Sequence, residues 1–217
     1  NDTQKIFQTY INLCENYNHS LNYLLNIPNE GAWMGATPEI LIEGKNKKYK
    51  TVALAGSKPA ANIEWKQKEI DEQQFVTDYI SEKLKKASIS FNYNKTSKTA
   101  IAGNIAHLQT TFNIETGKNP LALADLLHPT PAICGLPQTK AQNFILKNEG
   151  YNREFYTGFL GIVNNSASSL FVNLRCMQLF KNEYWLYVGG GITANSEPNN
   201  EWDETELKAQ TLLNILD

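Results

Sequence analysis

Helical and strand patterns interleave along this chain without a regular strand–helix–strand rhythm, and that order limits the folds open to it. Residues 3–16 carry Ile6, Phe7, Tyr10, Ile11 and Cys14 at the spacing of one helix face. Leu21, Tyr23, Leu25 and Ile27 then alternate with Asn22, Leu24 and Asn26, which predicts a strand. Strand-like runs follow from Ala32 to Ile42, interrupted by Gly35 and Pro38, and from Tyr49 to Ala55. A long helix is predicted over 63–86, with Ile70, Phe75, Val76, Tyr79, Ile80 and Leu84 on its apolar side. Strands are predicted near 89–93 and 105–112. Asn119-Pro120 reads as a cap followed by proline at the first helical position, leading into Leu121–Leu127. His128-Pro129-Thr130-Pro131 cannot continue that helix, because each proline lacks an amide donor and restricts its predecessor. A short helix over 139–149 stops at Gly150. Residues 170–180 and 184–192 read as a hairpin turning at Lys181-Asn182-Glu183, and an amphipathic helix over about 200–216 follows. The expectation is an α+β fold of mainly antiparallel β-sheet layers with helices packed outside.

Composition narrows the partners. Hydrophobic residues are 41% of the 217 and charged residues 19%, enough for a core and unlike a disordered tail. No apolar run approaches the roughly 20 residues a membrane helix needs. A net charge of −2, with Arg153 and Arg175 the only arginines, argues against a nucleic-acid surface. Cys14, Cys134 and Cys176 are odd in number and far apart, which fits free thiols in a reducing, cytoplasmic setting. The start at Asn1 has neither an initiator Met nor the basic and apolar stretches of a signal peptide. It suggests a piece of a longer polypeptide.

Two carboxylate pairs are the most informative chemical feature. Glu69 and Glu72 sit three apart on one predicted helix, and Glu201 and Glu204 three apart on the last, so each pair points one way. Such pairs offer hard oxygen ligands to a divalent cation. They also suit a helix start, where acidic residues complement the macrodipole, and Glu204 with Lys208 is an ordinary helical ion-pair spacing. Gly189-Gly190-Gly191 ends a predicted strand, either as a close backbone approach to a carboxylate or as a tight turn. Arg175, in an otherwise apolar strand, shares a face with Phe171 and Asn173 by alternation and needs a carboxylate partner from protein or ligand. His107 lies in another predicted strand, where a lone histidine suits a core or surface position as well as a site.

In order, these segments resemble the chorismate-binding enzymes, a family that includes isochorismate, anthranilate, aminodeoxychorismate and salicylate synthases. The resemblance is carried by Gly35-Ala36-Thr37-Pro38-Glu39, Leu54-Ala55-Gly56-Ser57, Lys68 to Val76 and His107-Leu108-Gln109-Thr110. It continues through Leu127 to Pro137, Arg153 to Gly158, Leu174-Arg175-Cys176, Tyr187 to Ile192 and Glu201 to Lys208. It covers nearly the whole chain and implies that 1–217 is the C-terminal part of a single chorismate-binding domain. The resemblance further implies that Glu39 is the general acid protonating the departing C4 hydroxyl. It implies Glu72 and Glu204 as Mg²⁺ ligands, with Glu69 and Glu201 as water-mediated partners. Arg175, Gly190 and Lys208 would hold the substrate's carboxylates, and His107 would line the pocket.

Two positions depart from the family's pattern. No early residue reproduces the strand lysine that serves as water-activating base, so that base is expected upstream of residue 1, in the rest of the same polypeptide. Gln73 stands where many members have histidine beside the metal glutamate. His128-Pro129-Thr130-Pro131-Ala132 and Gly135-Leu136-Pro137-Gln138 resemble the isochorismate synthases rather than the aminating branch. The implied activity is Mg²⁺-dependent conversion of chorismate to isochorismate, for menaquinone or siderophore biosynthesis, with menaquinone favoured. The alternatives are an anthranilate or aminodeoxychorismate synthase component, and a non-catalytic module that keeps the fold.

Overall fold

A computed structural model describes residues 3–61, 63–102, 105–164, 167–194 and 196–216. The chain divides into two compact units, one formed by 1–39, 153–158 and 172–217, the other by 40–152 and 159–171.

The first unit is built on an antiparallel sheet in the order β1 (Leu21–Ile27), β2 (Gly31–Thr37), β10 (Cys176–Leu179) and β11 (Tyr184–Tyr187). Register aligns Tyr23, Gly35, Cys176 and Tyr187 in one row, and Leu24, Met34, Met177 and Leu186 in the next. Because side chains alternate across a sheet, the two rows face opposite ways. The second row packs with Leu13 of α1 (Thr3–Asn16) and Leu212 of α6 (Pro198–Leu213) into the unit's core, so both helices cover that face. Leu24 therefore points to the core while Leu25 is exposed, so the apolar side of β1 is not the odd-numbered one alone.

The second unit holds a seven-stranded antiparallel sheet. It uses β3 (Ile40–Lys45), β4 (Lys48–Pro59), β5 (Ser90–Tyr93), β6 (Lys98–Ala102), β7 (Ile105–Glu115), β8 (Phe159–Val163) and β9 (Ser168–Val172). The order is β5-β7-β4-β3-β9-β8, with β6 also on β7. Around it lie α2 (Gln67–Lys86), α3 (Pro120–Leu127), α4 (Pro131–Cys134) and α5 (Gln138–Asn148). The α+β class and antiparallel pairing are as expected.

Four local expectations need correction. First, α2 starts at Gln67 rather than 63, because the Glu69 carboxylate accepts the Lys66 amide at 2.8 Å and closes the helix there. Its buried face runs through Gln73, Val76, Thr77, Tyr79, Ile80, Ser81 and Leu84, and Ile70 and Phe75 are exposed. Polar members of that face hid it from a hydrophobic reading: the Gln73 amide donates to Thr77 and to Thr110 of β7, each at 2.8 Å. Second, residues 170–180 are not one hairpin arm. They split into β9 and β10, which belong to different sheets, and Arg175 sits between them at φ +47° rather than in a strand alternating with Phe171 and Asn173. Third, the prolines after α3 do more than stop it: Pro131 takes the first helical position of α4. Fourth, the short strands β6 and β8 were not predicted; β8 carries Gly161 in its middle and half of its side chains are exposed.

Candidate active site

In the first unit, β2 ends at Thr37 and Pro38 takes the chain out of the sheet, leaving Glu39 at 8% exposure. The crossing is tied on both sides. Val172 N–H donates to the Glu39 carbonyl at 2.9 Å, the Thr37 hydroxyl donates to the Val172 carbonyl, and Ala36 N–H donates to the Arg175 carbonyl at 3.2 Å. These bonds hold Arg175 in a left-handed conformation that costs a residue with a side chain about 1 kcal/mol or more. Desolvation lowers the half-buried Arg175 guanidinium from its usual range, against the opposing pull of Tyr17 and Glu39. Burial pushes the Glu39 carboxyl up to about 7, and the positive charges of Lys208 and then Arg175 oppose that rise without cancelling it. A carboxylic acid that keeps its proton to neutrality beside two cations is what general acid catalysis at pH 7 requires.

Lys208 reaches this region from α6. Its ammonium donates to the Gly189 carbonyl at 2.9 Å and stands 2.8 Å from Glu204, four residues earlier. Glycine is needed at 189, because a Cβ there would lie 2.7 Å from the buried Tyr156 hydroxyl. At Gly190 a Cβ would meet only Glu201 Oε2, at 3.6 Å. Glu201 itself is 6% exposed in the first turn of α6, the end of a helix that favours negative charge. Gly190 and Glu201 also line a cavity of about 390 Å³, with Val188, Trp202 and Thr205. Of the residues singled out from the sequence, this unit therefore brings together Glu39, Arg175, Lys208, Gly190, Glu201 and Glu204.

The second unit carries Glu69, Glu72 and His107. Gly56, at φ +69° in a bulge of β4, admits α2 closely: a Cβ there would lie 2.8 Å from the Glu69 Cβ. Glu69 pairs with Lys58 at 3.1 Å, and Glu72 with Lys68 at 3.7 Å. His107 is buried on β7 opposite Ala100 of β6, on the strand face away from Leu108 and Thr110. Sequence reasoning gave no role to Tyr156 or Asn173. Tyr156 lies in an irregular segment whose positions follow no period, and Asn173 was read as an ordinary strand residue.

The four glutamates have the hard oxygen donors that Mg²⁺ takes one or two at a time, with water and substrate completing its shell. Three of them pair with a lysine ammonium, which a bound cation would have to displace or share the carboxylate with. Among the described residues, no group of three or more His, Cys, Asp or Glu side chains is placed to hold a metal ion. Also among the described residues, no helix is long and apolar enough to cross a membrane.

A family model described as chorismate binding enzyme matches residues 1–217, and the chain belongs to that family. It is 30% identical over 210 residues to the isochorismate synthase EntC of Escherichia coli, covering 90% of this chain and 54% of EntC. It is 29% identical over 198 residues to the isochorismate synthase DhbC of Bacillus subtilis, covering 84% and 50%. The chain thus spans about half the length of these curated relatives. Among solved structures, MenF, the menaquinone-specific isochorismate synthase of Escherichia coli, matches with a TM-score of 0.83 at 26% identity, over 96% of this chain and 52% of MenF. Anthranilate synthase component I of Streptococcus pneumoniae, at 23% identity and a TM-score of 0.78, shares the fold.

Proposed function

We propose that this chain carries the acid-side machinery of an isochorismate synthase. Water adds at C2 of chorismate and the C4 hydroxyl departs. A base takes one proton from the attacking water and Glu39 gives one to the leaving hydroxyl, so the reaction is an isomerisation with no net proton change. The observation that carries this reading is Glu39: buried, pushed up to about 7, and flanked in the same unit by Lys208 and Arg175. Chorismate carries two carboxylates. The Arg175 guanidinium, the Lys208 ammonium and the backbone at Gly190 are the chain's means of binding them, and His107 is assigned to the pocket lining. Likeness to EntC, DhbC and MenF supports the choice of water over ammonia.

Magnesium belongs to this reading through the carboxylate pairs. Glu72 and Glu204 would be the ligands, with Glu69 and Glu201 as their water-mediated partners. The ion would supply charge neutralisation for a substrate carboxylate. For the pathway, menaquinone biosynthesis is the reading put to the test; the chain is similar both to the menaquinone-specific MenF and to a 2,3-dihydroxybenzoate-specific DhbC of Bacillus anthracis. Loss of menaquinone rather than of a catechol siderophore on gene deletion is its test.

The activity is tested in the complete gene product with chorismate and Mg²⁺, following products by chromatography. Glu39→Gln is expected to lower turnover by about 10²- to 10⁴-fold while chorismate affinity changes little. Near-native kcat in that variant would remove Glu39 from the role. An ammonia-dependent aminated product would move the protein to the anthranilate or aminodeoxychorismate branch, and absence of any product would leave a non-catalytic module.

A further inference from the structure

Two buried polar side chains flank the stretch that carries Arg175, Asn173 in sequence and Tyr23 across β2 from Cys176, and neither has a role described so far. Asn173 is 3% exposed and two residues ahead of Arg175. Its backbone and side chain are both engaged with the segment 155–158. Its amide N–H donates to the Gly158 carbonyl at 2.7 Å, and its own carbonyl accepts from Thr157 N–H at 2.8 Å. Its side-chain amide donates to the Phe155 carbonyl at 2.8 Å. The remaining acceptor, Oδ1, takes the hydroxyl proton of Tyr23 at 2.5 Å.

Register explains how Tyr23 reaches so far. Tyr23 of β1 pairs with Gly35 of β2, and Gly35 pairs on its other side with Cys176 of β10. A Cβ at Gly35 would lie 2.8 Å from the tyrosine ring, so the missing side chain is what lets the ring lie across β2 toward Asn173. Burial raises the Tyr23 phenol above its ordinary range and pushes the neighbouring Cys176 thiol up to about 12, so both stay neutral and Tyr23 stays a donor.

The segments on either side of Asn173 carry three residues in the left-handed region. Glu154, Thr157 and Arg175 all have positive φ, at +48°, +66° and +47°. Between the first two stands Tyr156, whose hydroxyl sets the space above Gly189. Residues held in such conformations keep them only when neighbouring contacts over-determine the backbone. Asn173 holds the 155–158 backbone, while the Arg175 carbonyl is held by the N–H of Ala36, next to the Gly35 that Tyr23 lies across.

We propose that Tyr23 and Asn173 form a latch whose role is to position Arg175 for a substrate carboxylate. This rests on the isochorismate synthase reading for the identity of the substrate, but not for the link between Tyr23 and Arg175. Neither residue touches substrate; both act through Arg175.

Tyr23→Phe removes the hydroxyl and keeps the ring over Gly35, so it is the variant of choice; Asn173→Ala is the second. In the complete gene product, Tyr23→Phe should raise KM for chorismate about tenfold with kcat within about threefold, the pattern of lost ground-state binding. In an Arg175→Ala background the same substitution should change KM less than about twofold, because residues acting as a unit are non-additive. An additive loss in that background, or an unchanged KM with only a lower Tm, would overturn the latch.

A readout independent of turnover keeps the two proposals apart. In the complete gene product, the Arg175 Nε–H signal of a ¹⁵N spectrum is identified by its disappearance in Arg175→Lys. Tyr23→Phe should shift or broaden that signal. If the wild type neither binds nor converts chorismate while the signal moves, the function fails and the latch stands. An unmoved Arg175 signal overturns the latch whatever the activity.

Discussion

The glutamate pairs of α2 and α6 have the same spacing and different employment. In α2 the first member, Glu69, is absorbed by the fold: it accepts the Lys66 amide at the helix start and pairs with Lys58, both side chains being largely covered. The second member, Glu72, meets Lys68 at 3.7 Å with more of its surface open. In α6 the first member, Glu201, is buried with an oxygen toward Gly190, and the second, Glu204, holds Lys208, which in turn reaches Gly189. Spacing identifies which side chains share a helix face. What each one meets decides whether it braces the helix or faces a ligand.

The largest expected effect tests that division directly. In the complete gene product, Glu72→Gln and Glu204→Gln should each lower kcat about 100-fold or more, since each removes a carboxylate assigned to Mg²⁺. Glu69→Gln, acting through position alone, should cost about tenfold. Steady-state rates across a Mg²⁺ titration check this, and equal losses at all three positions would erase the contrast drawn between the members of a pair.

The balance of burial against pairing is sharpest at Glu39, and it makes stability depend on pH. The native carboxyl holds its proton to about 7, whereas an unfolded glutamate releases it near its ordinary value. Between those two points the native state binds more protons than the unfolded state, so stability falls as pH rises, by up to about 3 kcal/mol. Glu39→Gln removes that dependence. The variant should be more stable than the wild type by about 2–3 kcal/mol at pH 8 and equal to it near pH 4, as read by urea unfolding. A gap independent of pH would mean that Glu39 titrates normally.

A smaller effect belongs to Glu69. Glu69→Ala should destabilise the protein by about 1–2 kcal/mol through loss of the bond to the Lys66 amide and of a mostly covered ion pair. Thermal unfolding of the variant measures it.

How much of this was legible in the sequence varies by the physics involved. The bounds of α1 and β1 follow from local spacing to within a residue, but their buried faces do not: Phe7 and Ile11 of α1 and Leu25 of β1 are exposed, while Thr9 and Leu13 of α1 are buried and Leu24 of β1 packs against the core. The start of α2 was misplaced because it depends on one side chain bonding one backbone amide, which periodicity does not register. Arg175 was assigned to a strand because its neighbours alternate, yet hydrogen bonds from Ala36 to its carbonyl and among Asn173, Thr157 and Gly158 take the chain out of the sheet there. Spacing and pattern single out the glutamate pairs, Arg175, Gly190 and His107, but their roles, and Glu39 itself, come from motif resemblance, which reports residue identity and not surroundings. That Glu39 stays protonated to about 7 depends on burial contributed by distant parts of the sequence.

The smallest effect on stability should fall on one of the residues with the largest effect on activity. Glu204 precedes Lys208 by one helical turn, the favourable order for such a pair, at 2.8 Å. Both side chains keep contact with solvent, so the pair adds only about 0.3–0.5 kcal/mol and salt screens it. Glu204→Gln should therefore unfold within about 0.5 kcal/mol of the wild type, and the gap should shrink further in 1 M salt, where the screening length is about 3 Å. Set beside Glu69→Ala, this predicts reversed rankings: α6 loses activity without losing stability, and α2 loses stability with the smaller loss of activity. Paired urea titrations and rate measurements on the two variants decide it, and a Glu204→Gln protein destabilised by more than about 1 kcal/mol would make that carboxylate a structural brace like Glu69.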